Sequence, residues 1–168
     1  MGIFDAFVPL PEESDPFYNK GLPNKLRYTK HEAQVVAPNL LKAVRESVGL
    51  INTTVNPDVF FERYGFALCC LRELSKMERL ISFTGQKPSA FLLEMRRKRQ
   101  PAICELIDRM CERTDQKLSG LKTEKGKISN YSKLYSQLEA YQGNMDENTK
   151  KHLYNSLEFL KTKHFNHT

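Results

Sequence analysis

The 168-residue chain lacks the signals of several large classes of protein. No run of about 18 apolar residues occurs, so no segment is apolar over the length that a membrane-spanning helix needs. The motifs H-E-x-x-H and G-x-S-x-G and the glycine-rich phosphate loop, which mark common enzyme sites, are missing. No stretch alternates apolar and polar residues over four or more positions, which argues against β-strands. We therefore expect neither a conventional enzyme nor a bound cofactor.

Cysteine and histidine are also scarce, with four residues of each. Cys69, Cys70, Cys104 and Cys111 all fall inside helical patterns rather than in the loop-rich context of a disulfide scaffold. Cys104 and Cys111 would lie about 10 Å apart along a helix, too far to share a metal ion. We interpret the cysteines as small buried apolar side chains, and we predict no metal site and no catalytic residue.

The N-terminal 30 residues have a different character from the rest of the chain. Four prolines interrupt them, which excludes a long helix, but their apolar content is too high for a free linker. We expect an irregular N-terminal arm, residues 1–30, packed on the body. The spacing of Ile3, Phe4 and Phe7 predicts one amphipathic turn, which makes peripheral membrane attachment an alternative function. The first ten residues lack the basic start of a signal peptide, so we expect a cytoplasmic protein.

What the sequence does contain is a strong start signal for a helix, between Asn52 and Tyr64. The side chain of Asn56 is suited to accept a hydrogen bond from an N–H group of the first turn, and Pro57 fits the first helical position. Asp58 then places a negative charge near the positive end of the helix dipole. About 25 residues of helical apolar periodicity follow, with Phe60 and Tyr64 facing the core.

The same periodicity predicts helices over residues 31 or 38 to 51, 57–82, 88–119 and 126–142, and a fifth from Asn144 or Asp146. Pro38 either starts the first helix or kinks a longer one. Pro101 either kinks the third helix or separates two helices that meet at Gln100, and Gly143 suits the C′ position of the fourth. The predicted fold is all-α, an antiparallel bundle of four to five helices, with residues 31–168 forming a single helical-bundle domain.

The net charge of +6 is unevenly distributed, because residues 87–127 carry eleven basic and six acidic side chains. Within them, Arg96, Arg97, Lys98 and Arg99 are consecutive. Such a run binds nucleic acid or another polyanion through counterion release, with Lys122, Lys125 and Lys127 as further candidates. A solvated helix segment and a surface for an acidic protein partner are the alternatives.

The chain resembles an uncharacterised bacterial all-helical domain that recurs in proteins of mobile elements and prophages. The resemblance is carried by the Asn-Thr-Thr-x-Asn-Pro-x-x-Phe-Phe-x-Arg-Tyr pattern at Asn52–Tyr64, by the Gly-x-x-Pro-Ser turn at residues 85–89 and by Leu121–Gly126. It covers roughly residues 50–160. The resemblance implies a helical fold and brings no known activity, and the Arg96–Arg99 run departs from the pattern of that domain.

Together these features favour a non-enzymatic helical interaction or accessory domain in the cytoplasm, associated with a mobile element. A protein partner is expected, with its identity and the oligomeric state left open. The first alternative is a nucleic-acid-binding accessory protein that uses the basic residues named above, and DNA is one such ligand. The second is attachment to a membrane surface.

Overall fold

The computed structural model describes residues 24–165, and within this range the chain forms helices and turns but no strand. The all-α class is confirmed. The helices are α1 (Lys30–Thr53), α2 (Pro57–Ser75), α3 (Pro88–Arg97), α4 (Arg99–Gly120), α5 (Glu124–Glu139) and α6 (Glu147–Phe165), with a 3-10 helix at Gln142–Asn144. Among these helices none is long and apolar enough to cross a membrane. Most of the N-terminal arm, including Ile3, Phe4 and Phe7, lies outside the described residues.

The described residues divide into two compact units. Unit 1 comprises residues 24–51 and 61–97, and unit 2 comprises residues 52–60 and 98–165. The first turn of α2 therefore belongs to unit 2 and the rest of that helix to unit 1. A single helical-bundle domain over residues 31–168 stays a prediction.

The first helix is the longer of the two alternatives, because α1 starts at Lys30 and contains Pro38 in its interior. A capping box fixes its start. The backbone N–H of Thr29 donates to Glu32 Oε1 (3.0 Å), and the backbone N–H of Glu32 donates to Thr29 Oγ1 (3.1 Å). Both N–H groups would otherwise lack a partner within the helix, so the Thr-x-x-Glu sequence sets the boundary.

The predicted helix 57–82 is too long, because α2 ends at Ser75. Its start agrees with the sequence, since Asn56 Oδ1 accepts a hydrogen bond from the backbone N–H of Asp58 (2.9 Å). At its end, Ser75 Oγ donates to the carbonyl of Arg72 (2.7 Å), and the next backbone bonds span three residues, as from Met77 to Leu74 (3.0 Å). Met77 is nevertheless fully buried, so the apolar period outlasts the helix.

The predicted third helix is two helices. They are separated by Lys98, three residues before Pro101, rather than meeting at Gln100. Pro101 has no N–H to donate to the carbonyl of Arg97, so one backbone bond of a continuous helix is missing there. Pro101 instead occupies the first turn of α4, where backbone N–H groups have no partner within the helix.

The bounds of α5 differ from prediction, whereas the start of α6 agrees with one of the two predicted positions. Helix α5 ends at Glu139 and is followed by Ala140 in a right-handed conformation, so Gly143 does not hold the C′ position and instead lies in the 3-10 helix. Among the described glycines, Gly85 has a positive φ (79°). Asp146 caps α6, because its Oδ1 accepts from the backbone N–H of Thr149 (2.8 Å). The join between α4 and α5 is shorter than predicted and covers residues 121–123.

Unit 1 has an apolar core from α1, α2 and α3, and one buried carboxylate. The core includes Leu40, Val44, Leu68, Leu71, Leu74 and Leu92. The side chain of Glu73 is 1 % exposed and accepts four hydrogen bonds. The donors are Tyr28 Oη (2.8 Å), the backbone N–H of Lys25 (3.0 Å), Arg72 Nε (2.8 Å) and Lys76 Nζ (2.8 Å). These bonds attach residues 25–28 to α2.

In unit 2, α4 packs against both α5 and α6. The core is formed by Ile103, Leu106, Ile107, Leu134, Leu138, Leu153 and Leu157. Polar pairs connect α4 to α6: Asp108 Oδ1 lies 2.7 Å from His152 Nε2, and Asp115 Oδ1 lies 2.7 Å from His164 Nε2. One side of α4 is thus committed to α6, and the candidate site lies on another.

Candidate anion-binding site

The candidate site is built first on α4, which carries Arg109, Arg113 and Lys117 at intervals of four residues. Residues four apart lie on the same face of an α-helix, about 6 Å apart along its axis. Arg109 is half-buried, whereas Arg113 and Lys117 are exposed. Helix α4 therefore presents a row of three cations along one face of unit 2.

The loop that enters α2 is attached to this row. Arg109 Nε donates a hydrogen bond to the carbonyl of Thr54 (3.0 Å). Thr54 Oγ1 in turn accepts from the backbone N–H of Asn56 (3.0 Å), whose side chain caps α2. The Asn-Thr-Thr-x-Asn-Pro segment, singled out in the sequence as a helix start, thus also forms one wall of the candidate site.

Helix α5 supplies the opposite wall with Asn130, Lys133, Leu134 and Gln137, at helical spacings of three and four. The helix starts after Thr123, whose side chain accepts from the backbone N–H of Gly126 (3.1 Å). Asn130 Nδ2 donates to the carbonyl of Gly126 (2.8 Å), which fixes the direction of that side chain. Lys133 is exposed beside it.

These elements enclose a concavity of about 200 Å³, which we call the α4–α5 concavity. Its lining residues are Val55, Asn56, Met110, Arg113, Thr114, Lys117, Asn130, Lys133, Leu134 and Gln137. Three of them are cations, four have an amide or hydroxyl group, and none is a carboxylate. Val55, Met110 and Leu134 provide an apolar floor on which the polar groups stand.

The cations of the concavity are not neutralised by their surroundings. Arg113, Lys117 and Lys133 form no ion pair or hydrogen bond with any other residue between 24 and 165. By contrast, Asp115 of α4 has charged and polar partners on α6: its carboxylate accepts from Lys163 (3.0 Å) and from His164 (2.7 Å). These bonds hold the pKa of the Asp115 carboxyl below its ordinary value. Asp115, which lies between Arg113 and Lys117 in the sequence, is thus occupied on the α6 side.

The basic residues predicted from the sequence lie elsewhere. Arg96 and Arg97 end α3 in unit 1, while Lys98 and Arg99 precede and begin α4 in unit 2. Arg97 and Lys98 are exposed, and Arg96 and Arg99 are half-buried. None of the four lines the α4–α5 concavity.

The three predicted lysines are located at the other end of α4. Lys122 lies in the join after this helix, and Lys125 and Lys127 lie at the start of α5. Arg99 begins α4, whose 22 residues span about 33 Å. Unit 2 therefore does not bring Arg99 and Lys122 together, and the predicted residues do not form one compact patch there.

The cysteines agree with their interpretation as apolar side chains. Cys69 and Cys70 are both fully buried, and Cys111 is buried as well. Burial raises the pKa of the Cys70 and Cys111 thiols to about 12, which keeps them protonated at neutral pH. Cys104 is half-buried, with Sγ 3.9 Å from Thr149 Oγ1.

Between residues 24 and 165, no three His, Cys, Asp or Glu side chains are grouped in a way that would hold a metal ion. Comparison of the chain with known protein families, with curated proteins and with solved structures gave no match. The resemblance to an all-helical domain of mobile elements and prophages therefore stays a prediction.

Proposed function

We propose that the protein is a non-enzymatic accessory protein that binds a polyanion, with single-stranded nucleic acid as the ligand class, through the α4–α5 concavity. The observation that carries the proposal is the set of three cations, Arg113, Lys117 and Lys133, around a concavity without a carboxylate. Such a set of cations favours binding of a phosphate backbone, because each neutralised phosphate releases condensed counterions.

The size of the concavity supports a single strand rather than a duplex. Small-molecule sites usually measure about 300–1,000 Å³, and the α4–α5 concavity is smaller, at about 200 Å³. It has room for a phosphate and part of its sugar, while a flexible strand continues along the cationic row of α4. A rigid duplex is wider than such a recess and would meet only its rim.

The chemistry of the lining supports recognition of the backbone rather than of the bases. No aromatic side chain lines the concavity, so it offers no platform for base stacking. Asn56, Thr114, Asn130 and Gln137 provide polar groups that contact phosphate and sugar oxygens in many complexes. We expect binding with little sequence preference.

A charge-reversal experiment compares the α4–α5 concavity with the three lysines predicted from the sequence. We suggest fluorescence anisotropy at low salt with a labelled single strand. A strand of about 20 nucleotides is longer than the site size of common single-strand binders. The test variant is Arg113→Glu/Lys117→Glu/Lys133→Glu. The control is Lys122→Glu/Lys125→Glu/Lys127→Glu, which changes the net charge by the same amount in the same unit.

We expect the test variant to lose at least about tenfold in affinity and the control to stay within about threefold, since only the former removes phosphate contacts. Absence of binding by the unmodified protein at low salt would disprove the proposal. An equal loss in both variants would show that the overall charge acts, rather than the concavity. A larger loss in the control would favour the lysines predicted from the sequence.

The other sequence predictions accompany this proposal. We propose a cytoplasmic interaction domain of a mobile element, and an antiparallel order for the bundle. In support of that order, α5 and α6 contact each other in opposite chain directions: the ring of Tyr131 lies 5.6 Å from that of Phe165, whereas Tyr135 lies 6.4 Å from the earlier Tyr154. A protein partner is proposed on a different surface, in unit 1.

A further inference from the structure

Unit 1 contains a second and larger recess, which we call the α1 groove. It measures about 730 Å³ and lies between one face of α1 and the segment that follows α2. The lining from α1 is Lys30, Gln34, Ala37, Pro38, Leu41 and Arg45, and the lining from the following segment is residues 78–84 with Gln86. All of these residues belong to unit 1.

The floor of the α1 groove is apolar. Leu41, Leu80, Ile81 and Phe83 line it and are only half-buried, so part of each side chain remains in contact with solvent. Covering apolar surface is favourable by roughly 25 cal/mol per Å². A ligand with an apolar face would therefore gain from binding here, whereas a bare phosphate backbone would not.

The rim of the α1 groove is positively charged. Lys30, Arg45 and Arg79 line it, are exposed, and form no ion pair with other residues of the described range 24–165. The one carboxylate of the lining, Glu78, accepts a hydrogen bond from the backbone N–H of Ser89 (2.6 Å). The rim thus has three cations and a single carboxylate already engaged, and its charge is complementary to an acidic ligand.

The length of the α1 groove indicates a peptide. Lys30 and Arg45 are fifteen residues apart on α1, which corresponds to about 22 Å. This distance equals about four turns of a helix, longer than a compact small molecule. Protein grooves with an apolar floor commonly bind amphipathic helices through residues at positions i, i+3, i+4 and i+7.

We propose that the α1 groove binds an acidic amphipathic helix of a partner protein. Its apolar face would cover Leu41, Ile81 and Phe83, and its carboxylates would face Lys30, Arg45 and Arg79. The proposal does not depend on the α4–α5 concavity, since the two recesses lie in different units and bind ligands of different chemistry.

Binding of designed peptides to the full chain tests the proposal. The probe is a labelled synthetic helix of about 16 residues. Leu occupies positions i, i+3, i+4 and i+7 of each half of the peptide, and Glu occupies the other positions. A second peptide replaces every Glu with Lys. Fluorescence anisotropy at moderate salt is expected to show saturable binding of the acidic peptide and at least about tenfold weaker binding of the basic one.

Two variants of the protein place the binding in the α1 groove. Arg45→Glu/Arg79→Glu is expected to weaken binding of the acidic peptide at least about tenfold, because both substitutions reverse the charge of the rim. The control Lys42→Glu/Lys87→Glu makes the same change in charge at exposed positions outside the lining and is expected to have an effect below about threefold. The peptide comparison on the unmodified protein remains informative even if a variant fails to fold.

Several results would overturn the proposal. They are absence of binding by the acidic peptide, equal binding of both peptides, and equal losses in both variants. If Arg45→Glu/Arg79→Glu weakened binding of single-stranded DNA and left peptide binding unchanged, the α1 groove would be a nucleic-acid surface instead. If it abolished a concentration-dependent dimer in sedimentation while peptide binding stayed, the occupant would be a second copy of this chain.

Discussion

The buried carboxylate of Glu73 leads to a quantitative prediction about stability. Its four hydrogen bonds use both carboxylate oxygens, two bonds on each, whereas a glutamine has one acceptor oxygen. In Glu73→Gln the amide group brings its own donors against those of Arg72 and Lys76, and the negative charge that both cations face is lost. Removing one partner of a buried ion pair costs about 3–5 kcal/mol. We expect a loss near the lower value, because the glutamine oxygen still accepts from some of the donors.

Thermal unfolding followed by circular dichroism measures this loss. For a protein of this size, about 3 kcal/mol corresponds to a decrease in Tm of roughly 6–12 °C. The matched control is Glu46→Gln, the same substitution at a side chain that is 61 % exposed and lies 4.0 Å from Lys42. Exposed pairs of this kind contribute about 0–1 kcal/mol, so its Tm should shift little. Similar Tm values for the two variants would refute the role assigned to Glu73.

The same carboxylate predicts a dependence on pH. Burial alone would raise the pKa of Glu73, but hydrogen bonds from Lys76, Arg72 and Tyr28 outweigh it and hold the pKa below the ordinary value of 4.5. Since the pKa is lower in the folded state, the stabilisation is complete above pH 4.5 and is lost as the pH falls through the folded-state pKa. On acidification the Tm of the unmodified protein should approach that of Glu73→Gln. A difference in Tm between the two proteins that stays constant down to the lowest pH would contradict the role assigned to the ionised carboxylate.

Two further predictions concern local conformation and thiol reactivity. In a urea titration, Gly85→Ala should destabilise the protein by about 1 kcal/mol. Gly85 has a φ of 79° and an added Cβ would have no atom within 4 Å, so the cost comes from the backbone alone. Gly143→Ala, at a similarly open position without a positive φ, should not destabilise the protein, and equal losses in the two variants would contradict the role of the positive φ. In the folded protein, a thiol-specific disulfide reagent at neutral pH should modify Cys104 and leave the other three cysteines unmodified, because Cys69, Cys70 and Cys111 are buried and burial raises the pKa of Cys70 and Cys111 to about 12. All four thiols should react in denaturant. Early modification of Cys70 or Cys111, measured by mass spectrometry, would show that the core opens.

The helices were predictable from the sequence because apolar side chains at steps of three and four are a direct consequence of helical packing. The ends of the helices were less predictable than the helices themselves. The period continues through Met77 into the core, although the backbone has already left the helix at Ser75, so periodicity alone overestimates α2. Pro101 allowed two interpretations, and its missing N–H does not decide between them, because Pro38 lacks the same N–H and lies inside the continuous helix α1.

The candidate site was not predicted, for a physical reason. A run such as Arg96–Arg99 is conspicuous in sequence, but consecutive residues point in different directions on a helix. Arg109, Arg113 and Lys117 are spread over nine positions and share one face, a spacing that was present in the sequence and would have revealed the row. The contributions of Lys133 and Asn56 come from other elements, and only the tertiary structure of unit 2 brings them to the same concavity.

The salt dependence of single-strand binding tests the central proposal most directly. Three phosphate contacts by Arg113, Lys117 and Lys133 predict a slope of about −2 in a plot of log affinity against log salt concentration, since each contact to a single strand contributes about −0.7. Affinity should then fall roughly twentyfold between about 50 and 200 mM salt. In Arg113→Glu/Lys117→Glu/Lys133→Glu the slope should approach zero. A slope that is unchanged in this variant, or absent in the unmodified protein, would contradict the assignment of the α4–α5 concavity.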